Sequence, residues 1–362
     1  MKARFFLPVA SIILVGCVRG PLTLVEEERV GTSVWGGLAG RLSSGAAPAF
    51  DGDVFYFGTR SGHVVAIDSS GSRRWNAKLG ASVGMRPLVT GGRVYAGTSE
   101  GLFTALSAAD GKALWKVEVT GGVLGEPVKV GDDVIAFGAN DGYLYAVSTV
   151  DGKVKWRYRS ALPDRITIQS FAAPAIRSDR VYAAFSDGTV AAVRAHDGGE
   201  IWRRTIPAKE RFPDVVAPLF FSGERLLAAQ YYGTLQTFLP DGNAGWSIPL
   251  GGSAASPLSL DGRLIVGASN NRILSVDAES GEIQWSQEVG RMVTWSGLAE
   301  FDRFVAAGTF EGVLYLVDKV NGSLVWRYDV GAPVVGPPIS AKGRLWVLNG
   351  RGEFFGFEIR KG

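Results

Sequence analysis

The residues A-L-S-A-A-D-G-K-A-L-W, from Ala105 to Trp115, read as a strand, a tight Asp-Gly turn and a second strand that carries a tryptophan. Asp and Gly tolerate the positive φ angles that two-residue hairpin turns require. The stretch therefore predicts a β-hairpin. Similar units recur at Ala146–Trp156, Ala192–Trp202, Ser275–Trp285 and Leu316–Trp326.

The repeat tryptophans are evenly spaced along the chain. With weaker copies ending at Trp75 and Trp246, they lie 40, 41, 46, 44, 39 and 41 residues apart. A period near 40 in a strand-rich sequence is typical of a propeller. The units are placed at 48–80, 86–120, 126–160, 173–207, 217–250, 256–290 and 296–331. We expect the tryptophans to pack between neighbouring units, because each ring buries a large apolar area. Platforms for ligand stacking are the alternative.

The two ends of the chain complement each other. An eighth unit, from Gly336 to Gly362, has three predicted strands and stops, whereas Val30–Trp35 (V-G-T-S-V-W) resembles an outer strand with no strands before it. We predict an all-β, eight-bladed propeller of four-stranded antiparallel blades over residues 29–362. The amino-terminal strand completes the last blade, and the closed ring removes exposed sheet edges.

Two repeat intervals are longer than the others. The extra residues fall at Ser160–Ser170 and Pro207–Val216, between the outer strand of one blade and the inner strand of the next. All such connections emerge on one face of a propeller, and insertions confined to one face often mark a binding surface.

The first 16 residues are typical of an export signal. Lys2 and Arg4 give a positive start, and the apolar run Phe5–Val15 has 11 residues, which is too short to span a bilayer. The sequence Leu14-Val15-Gly16-Cys17 then matches the lipobox of bacterial lipoproteins.

The single cysteine supports a lipid anchor. Cys17 is the only cysteine, so an intramolecular disulfide is impossible. We predict a signal peptide at 1–16, acylation of Cys17, and a lipidated tether at 17–28, with several acyl chains giving stable anchoring. By lipoprotein sorting rules, Val18 indicates the outer membrane. An ordinary signal peptide with a chance cysteine is the alternative.

Composition argues against several functional classes. A net charge of +3 is too small to indicate nucleic-acid binding. The two histidines, His63 and His196, belong to no cluster of metal-ligand or catalytic residue types. The pairs Asp51/Asp53 and Asp132/Asp133 lack the loop of a calcium site and are expected in turns. We predict no metal, no cofactor and no catalytic residues.

The hairpin resembles the PQQ-type propeller repeat, whose signature is Ala-x-Asp-x-x-Thr-Gly-x-x-x-Trp. Its Gly and Trp persist here, while Thr is replaced by Asp110, Asp151, Asp197, Ser280 or Asn321. With the lipobox and the eight units, the chain resembles the BamB family, propeller lipoproteins of the BAM complex.

The resemblance implies a non-catalytic scaffold on the periplasmic face of the outer membrane, which helps β-barrel proteins to assemble and insert. The implied partner is the central barrel subunit of the complex, bound through its periplasmic POTRA domains. Unfolded outer-membrane proteins are further expected partners.

In that family, the docking surface comes from two longer loops in mid-chain. The apolar-x-apolar-Arg pattern of the first loop matches Ile166-Thr167-Ile168-Gln169, in which Gln169 replaces the basic residue. The acidic stretch of the second loop matches Asp214, before Pro218. The resemblance thus implies partner contacts at these four sites (Ile166, Ile168, Gln169 and Asp214). For the two isoleucines, an extension of the next inner strand is the alternative.

Two other functional classes remain to be compared with this prediction. Quinoprotein dehydrogenases share the repeat, but they typically add a vicinal disulfide and a calcium ion, and this chain has one cysteine. A cell-envelope propeller that binds a small ligand or glycan in its central funnel is the alternative to barrel assembly.

Overall fold

The computed structural model describes residues 22–30, 47–160, 171–207, 213–231, 233–251 and 255–361. These residues form 32 strands in eight four-stranded antiparallel sheets, which confirms the predicted architecture. None of the described residues forms a helix long and apolar enough to span a membrane.

Every blade runs from a short inner strand to an outer strand. The inner strands are β2 (Ala49–Asp51), β6 (Leu88–Thr90), β10 (Val128–Val130), β14 (Ala175–Arg177), β18 (Phe220–Ser222), β22 (Leu258–Leu260), β26 (Trp295–Phe301) and β30 (Ile339–Ala341). The second strands are β3 (Val54–Gly58), β7 (Arg93–Gly97), β11 (Val134–Gly138), β15 (Arg180–Ala184), β19 (Arg225–Ala229), β23 (Arg263–Ala268), β27 (Phe304–Thr309) and β31 (Arg344–Leu348).

The remaining strands complete the blades. The third strands are β4 (His63–Asp68), β8 (Leu102–Ser107), β12 (Tyr143–Ser148), β16 (Thr189–Arg194), β20 (Thr234–Phe238), β24 (Arg272–Asp277), β28 (Val313–Asp318) and β32 (Phe354–Lys361). The outer strands are β5 (Arg73–Lys78), β9 (Ala113–Glu118), β13 (Val154–Arg159), β17 (Glu200–Thr205), β21 (Ala244–Pro249), β25 (Ile283–Glu288), β29 (Leu324–Asp329) and β1 (Leu22–Val30). We number the blades 1 to 8 from β2–β5, so that blade 8 combines β30–β32 with β1.

The core lies between the blades. The second and third strands are almost continuously buried, whereas the outer strands alternate and bury mainly their tryptophan. The buried apolar residues form eight clusters, and each cluster joins two neighbouring blades, including blades 8 and 1. The ring is therefore held by contacts between adjacent units, as in other repeat proteins.

A tryptophan clamps each of the regular junctions. The Trp115 indole N–H donates to the Thr149 carbonyl of the next blade at 2.8 Å. The ring covers Gly152, which has φ +72° and whose added Cβ would lie 2.5 Å from the indole. The expected packing between blades is confirmed. The same indole-to-carbonyl bond recurs at Trp75–Ala108, Trp156–Ala195, Trp202–Pro240 and Trp246–Ala278.

The hairpin turn is longer than predicted. β8 ends at Ser107 and β9 begins at Ala113, so five residues connect the strands instead of two. Gly111 has φ +73°, but Asp110 is not among the residues with positive φ. Its carboxylate accepts the Lys112 N–H at 3.3 Å, so Asp110 stabilises the turn through a side-chain hydrogen bond.

The amino-terminal strand completes blade 8 as its outer strand, which confirms closure of the ring by the two termini. The position predicted for that strand was wrong. The strand is Leu22–Val30 rather than Val30–Trp35, and residues 31–46 lie outside the described part of the chain. The predicted tether at 17–28 therefore overlaps the strand, and residues 1–21 also lie outside the described part.

The missing tryptophan explains the displaced prediction. In blade 2, Trp115 lies opposite Ala105, next to a β-bulge. In blade 8, the bulge lies at the same place, and Glu28 occupies the equivalent position opposite Gly356. A search for a tryptophan-containing strand therefore finds the wrong segment.

Aromatic clusters replace the clamp on both sides of blade 8. Between blades 8 and 1, Phe354 stacks on Trp346 at 5.0 Å and meets Phe55 edge-on at 4.8 Å. Between blades 7 and 8, Trp326 and Tyr328 pack against Phe357 at 5.6 and 5.2 Å. Such pairs add about 0.5–1.5 kcal/mol each beyond the buried area.

Replacing the clamp glycine tests the contribution of the junction. We expect Gly152→Ala to lower the free energy of unfolding, because left-handed backbone costs an alanine about 1–2 kcal/mol and the clash with Trp115 costs about 1–3 kcal/mol more. Denaturant unfolding measures the change. The control is Gly131→Ala, since Gly131 has φ +58° but nothing within 4 Å of an added Cβ. Equal destabilisation by both variants would contradict the clamp.

Removing β1 tests closure by the termini. We expect a chain without Leu22–Val30 to melt at a lower temperature and to be cleaved faster by protease, because the edge of β32 loses its partner. A synthetic peptide with the Leu22–Val30 sequence should restore the melting temperature, whereas a scrambled peptide should not. Unchanged melting of the shortened chain would refute the role of β1.

Candidate functional site

One face of the ring carries the two long connections. In an antiparallel blade, the connections from outer to inner strands emerge on the face opposite the outer hairpins. In mid-chain, the connection between β13 and β14 spans 15 residues (160–174), and that between β17 and β18 spans 14 (206–219), against six to nine at five other junctions. The connection from β1 to β2, between blades 8 and 1, spans 18 (31–48). Both long connections flank blade 4. We call this side the long-connection face.

The first long connection is anchored at both ends. Ser160 Oγ donates to Asp187 Oδ2, in the turn between β15 and β16, at 2.6 Å. At the far end, the Phe171 ring lies where a Cβ on Gly138 would be, and it meets Phe185 edge-on at 5.2 Å. The two ends of this connection, at Ser160 and Phe171, are therefore fixed to the neighbouring strands.

A glutamine holds both ends of the second long connection. Gln230 is buried, with 1% exposure, and its Nε2 lies 3.4 Å from the Ile206 carbonyl and 3.5 Å from the Pro213 carbonyl. The backbone adds a bridge between Val215 and Gln230. Sequence reasoning missed Gln230. No clear signal in the sequence pointed to it, since the equivalent position varies among the blades, from Thr59, Thr98 and Thr309 to Ala139, Phe185, Ala268 and Asn349.

A hydrogen-bonded triad joins the outer strands of blades 3 and 4. The Tyr158 hydroxyl donates to Glu200 Oε2 at 2.6 Å and accepts from Arg203 Nη2 at 2.8 Å. Burial, with help from the Glu200 hydrogen bond, raises the pKa of Tyr158 to about 12, so the phenol stays protonated. The triad fixes the two strands, β13 and β17, from which the long connections start.

A cavity of about 590 Å³ opens at the centre of the same face. Its wall comes mainly from the residues that precede the inner strands, and it includes the apolar residues Leu124 and Phe220. Arg86 and Glu126 are the charged residues among its described lining. Pockets of this volume accept small molecules.

The carboxyl group of Glu126 is unusual. Solvent reaches part of the side chain through the cavity mouth, yet desolvation by the surrounding wall raises its pKa, and the charge of Arg86 offsets this only in part. Desolvation disfavours the ionised form of a carboxyl group. Among the described residues, no group of three or more His, Cys, Asp or Glu side chains could hold a metal ion.

The family model described as "Outer membrane protein assembly factor BamB" matches residues 20–118, 83–287 and 269–362, which together span most of the chain. The chain belongs to the BamB family. The BamB relative from Salmonella typhimurium is 31% identical over 354 residues, covering 90% of this chain and 88% of the relative.

Solved structures agree on the fold of this BamB-family chain. BamB from Moraxella catarrhalis superimposes with a TM-score of 0.78 and 20% identity, covering 88% of this chain and 97% of the other. Quinohemoprotein alcohol dehydrogenase from Comamonas testosteroni gives a TM-score of 0.69 at 15% identity, covering 88% of this chain and 74% of the other. At these identities, the likeness concerns the propeller architecture alone.

The structure describes only one of the four docking residues implied by the BamB resemblance. Three of them lie in 161–170, outside the described residues: Ile166, Ile168 and Gln169. The predicted acylation site, Cys17, also lies outside the described residues. Asp214 is fully buried, with 0% exposure, which does not fit direct contact with a partner.

The position of Asp214 has a structural cause. Its backbone carbonyl accepts the Tyr231 N–H at 2.9 Å, next to the bridge between Val215 and Gln230. This short pairing holds Asp214 in the buried position that it occupies. We therefore withdraw Asp214 from the predicted docking surface.

The pKa of Glu126 predicts a pH-dependent stability. Because its pKa in the folded protein lies above the ordinary 4.5, the ionised carboxylate destabilises the folded state above that folded pKa, and the effect vanishes below the ordinary value. We expect Glu126→Gln to raise the denaturant midpoint at about pH 8 and to leave it unchanged at about pH 4.

The control variant is Glu118→Gln, which removes an exposed carboxylate from β9. It should change the midpoint little at either pH, since exposed substitutions typically have small effects. A lower midpoint for Glu126→Gln at the higher pH would mean that attraction to Arg86 outweighs desolvation.

Proposed function

We propose that this chain is an outer-membrane protein assembly factor that acts as a scaffold in the BAM complex. The observation that carries the proposal is family membership over most of the chain, together with relatives whose printed name is "Outer membrane protein assembly factor BamB". A propeller suits such work, because its eight interblade cores leave the surface connections free to vary.

The proposed partner is the central barrel subunit, bound through its POTRA domains at the long-connection face. Three features support this choice of face. Both long connections lie there, both flank blade 4, and both have ends fixed by buried groups such as Phe171 and Gln230. Fixed ends reduce the conformational entropy lost when a connection is ordered by a partner. Within it, Ile166 and Ile168 are the proposed apolar anchors, with Gln169 beside them.

The proposed location is the periplasmic face of the outer membrane. Acylation of Cys17 after removal of residues 1–16 would anchor the chain, and only a few residues separate Cys17 from β1. The membrane would then lie near blade 8, while the long connections leave blades 3 and 4. Because blade 4 lies opposite blade 8 in an eight-membered ring, the anchor would leave the docking surface accessible.

The proposal includes no bond chemistry. The dehydrogenase likeness at 15% identity concerns the fold alone. A quinone cofactor held as in those enzymes would need a vicinal disulfide, and the chain has one cysteine. The described residues also offer no cluster of metal-ligand side chains. The residues present therefore do not fit that cofactor.

A co-purification experiment tests the role and the face together. Tagged full-length protein is captured from detergent-solubilised membranes, and the bound central barrel subunit is quantified. We expect Ile166→Ala with Ile168→Ala to reduce recovery about tenfold or more, since truncation of apolar anchors at the centre of an interface typically costs over 1 kcal/mol each.

The matched control removes apolar surface from the opposite, hairpin face. Val150 and Val320 are 74% and 65% exposed in the outer hairpins of blades 3 and 7. The variant Val150→Ala with Val320→Ala should leave recovery unchanged. Equal recovery with all forms would reject the two isoleucines and keep the role. No recovery with the unmodified protein would reject the role itself.

A further inference from the structure

One position of the repeat breaks its pattern in two adjacent blades. The residue in question lies two positions before the inner strand, or at the position that the β26–β27 register makes equivalent in blade 7. In six blades it is uncharged: Ala47, Ala173, Pro218, Ser256, Gly297 and Pro337. In blades 2 and 3 it is Arg86 and Glu126, the longest charged side chains of either sign.

Small residues are expected where the blades converge. At Gly297, for example, an added Cβ would lie 2.3 Å from the Cα of Pro337 in the neighbouring blade. Arg86 and Glu126 avoid such crowding by extending into the central cavity, which both residues line. The fold therefore accommodates two large charged groups at a position where its other six blades have small residues or proline.

The two charges are not neutralised by contact. Among the described residues, neither side chain forms a hydrogen bond or a contact ion pair, although Glu126 is influenced by the charge of Arg86. Partly desolvated charges without hydrogen-bonding partners are costly. The fold gains little from such a pair, so a structural role does not account for it.

The rest of the wall is uncharged, and it contains serines as well as apolar residues. Met85 and Leu124 lie on the same approaches to the inner strands as the two charges, and Phe171, Phe220 and Leu298 line other parts of the cavity. The cavity volume of about 590 Å³ lies within the range of small-molecule sites. The cavity thus combines one cation, one anion and an apolar surface.

We propose that the central cavity binds a small zwitterion with an apolar side group, of the amino-acid or short-peptide class. The ligand carboxylate accepts hydrogen bonds from the Arg86 guanidinium, and its ammonium group donates to the Glu126 carboxylate. The apolar side group packs against Leu124 and Phe220, which line the same cavity.

The paired charges select against simpler ligands. A purely anionic ligand at Arg86 is repelled by Glu126, and a purely cationic ligand at Glu126 is repelled by Arg86. Charge-assisted hydrogen bonds at both ends are the stronger kind and fix the orientation of the ligand. This site goes beyond the scaffold role, and it is tested without any protein partner.

Calorimetric titration of the full-length protein in detergent tests the site. The probes are L-phenylalanine, its amide, which lacks the carboxylate, and N-acetyl-L-phenylalanine, which lacks the ammonium group. We expect heat of binding and a raised melting temperature with L-phenylalanine, and about tenfold or weaker binding of either derivative. Equal binding of all three, or no binding of any, overturns the proposal.

Variants assign the binding to the two charges. Arg86→Ala and Glu126→Gln should each weaken L-phenylalanine binding about tenfold or more, whereas Arg73→Ala, on the exposed outer strand of blade 1, should not. Melting curves without ligand check that each variant is folded, and the derivative probes need no variant at all. Unchanged binding by both cavity variants would overturn the proposed site.

A dipeptide arm distinguishes the two possible sources of the zwitterion. Tighter binding of Phe-Phe than of L-phenylalanine would indicate a short peptide as the natural ligand. The reverse order would indicate a free amino acid. Either result supports the proposed class, since both molecules carry one carboxylate and one ammonium group.

Discussion

The contact between a tryptophan ring and the glycine of the next hairpin sets the geometry of the ring. At five junctions the indole donates its N–H to a carbonyl of the neighbouring blade, as Trp115 does to Thr149, while its face occupies the space above a glycine with left-handed backbone. At the junction of blades 6 and 7, the Trp285 ring covers Gly322 without that hydrogen bond. The hydrogen bond fixes the direction of the ring, and the missing Cβ fixes its distance. Spacing and rotation between blades thus follow from one repeated contact. Where blade 8 lacks that contact, Phe354, Phe357 and their aromatic neighbours provide buried area instead.

The sequence predicts those features of the architecture that repeat from blade to blade. Tryptophans about 40 residues apart were enough to predict the blade number, the hairpins and the shared last blade. The prediction failed where a unit departs from the pattern. β1 carries Glu28 at the tryptophan position, so the closing strand was placed too late along the chain. Asp214 was assigned to the docking surface by the family resemblance, but it is fully buried beside the bridge between Val215 and Gln230.

Departures from the repeat are also where the candidate functions lie. Arg86 and Glu126 stand out once the blades are aligned by structure, because the equivalent residue of the other six blades is uncharged. Gln230 stands out because it reaches two carbonyls of a long connection, whereas Thr59, at the equivalent position of blade 1, bonds within its own turn. Neither departure was noticed in the linear sequence, since their meaning depends on which residues of different blades are equivalent in space.

Closure by the two termini has a consequence for the order of folding. β1 is made first, but its partner β32 lies near the other end of the chain, so the last pairing to become possible is the one that closes the ring. Until then, the emerging chain must keep an unpaired strand available while seven blades form beside it, and contacts between such distant segments are slow to find. A chain that ends early can complete most of its blades but never the ring. The unpaired strand edge of such a chain would then be accessible to proteases and chaperones.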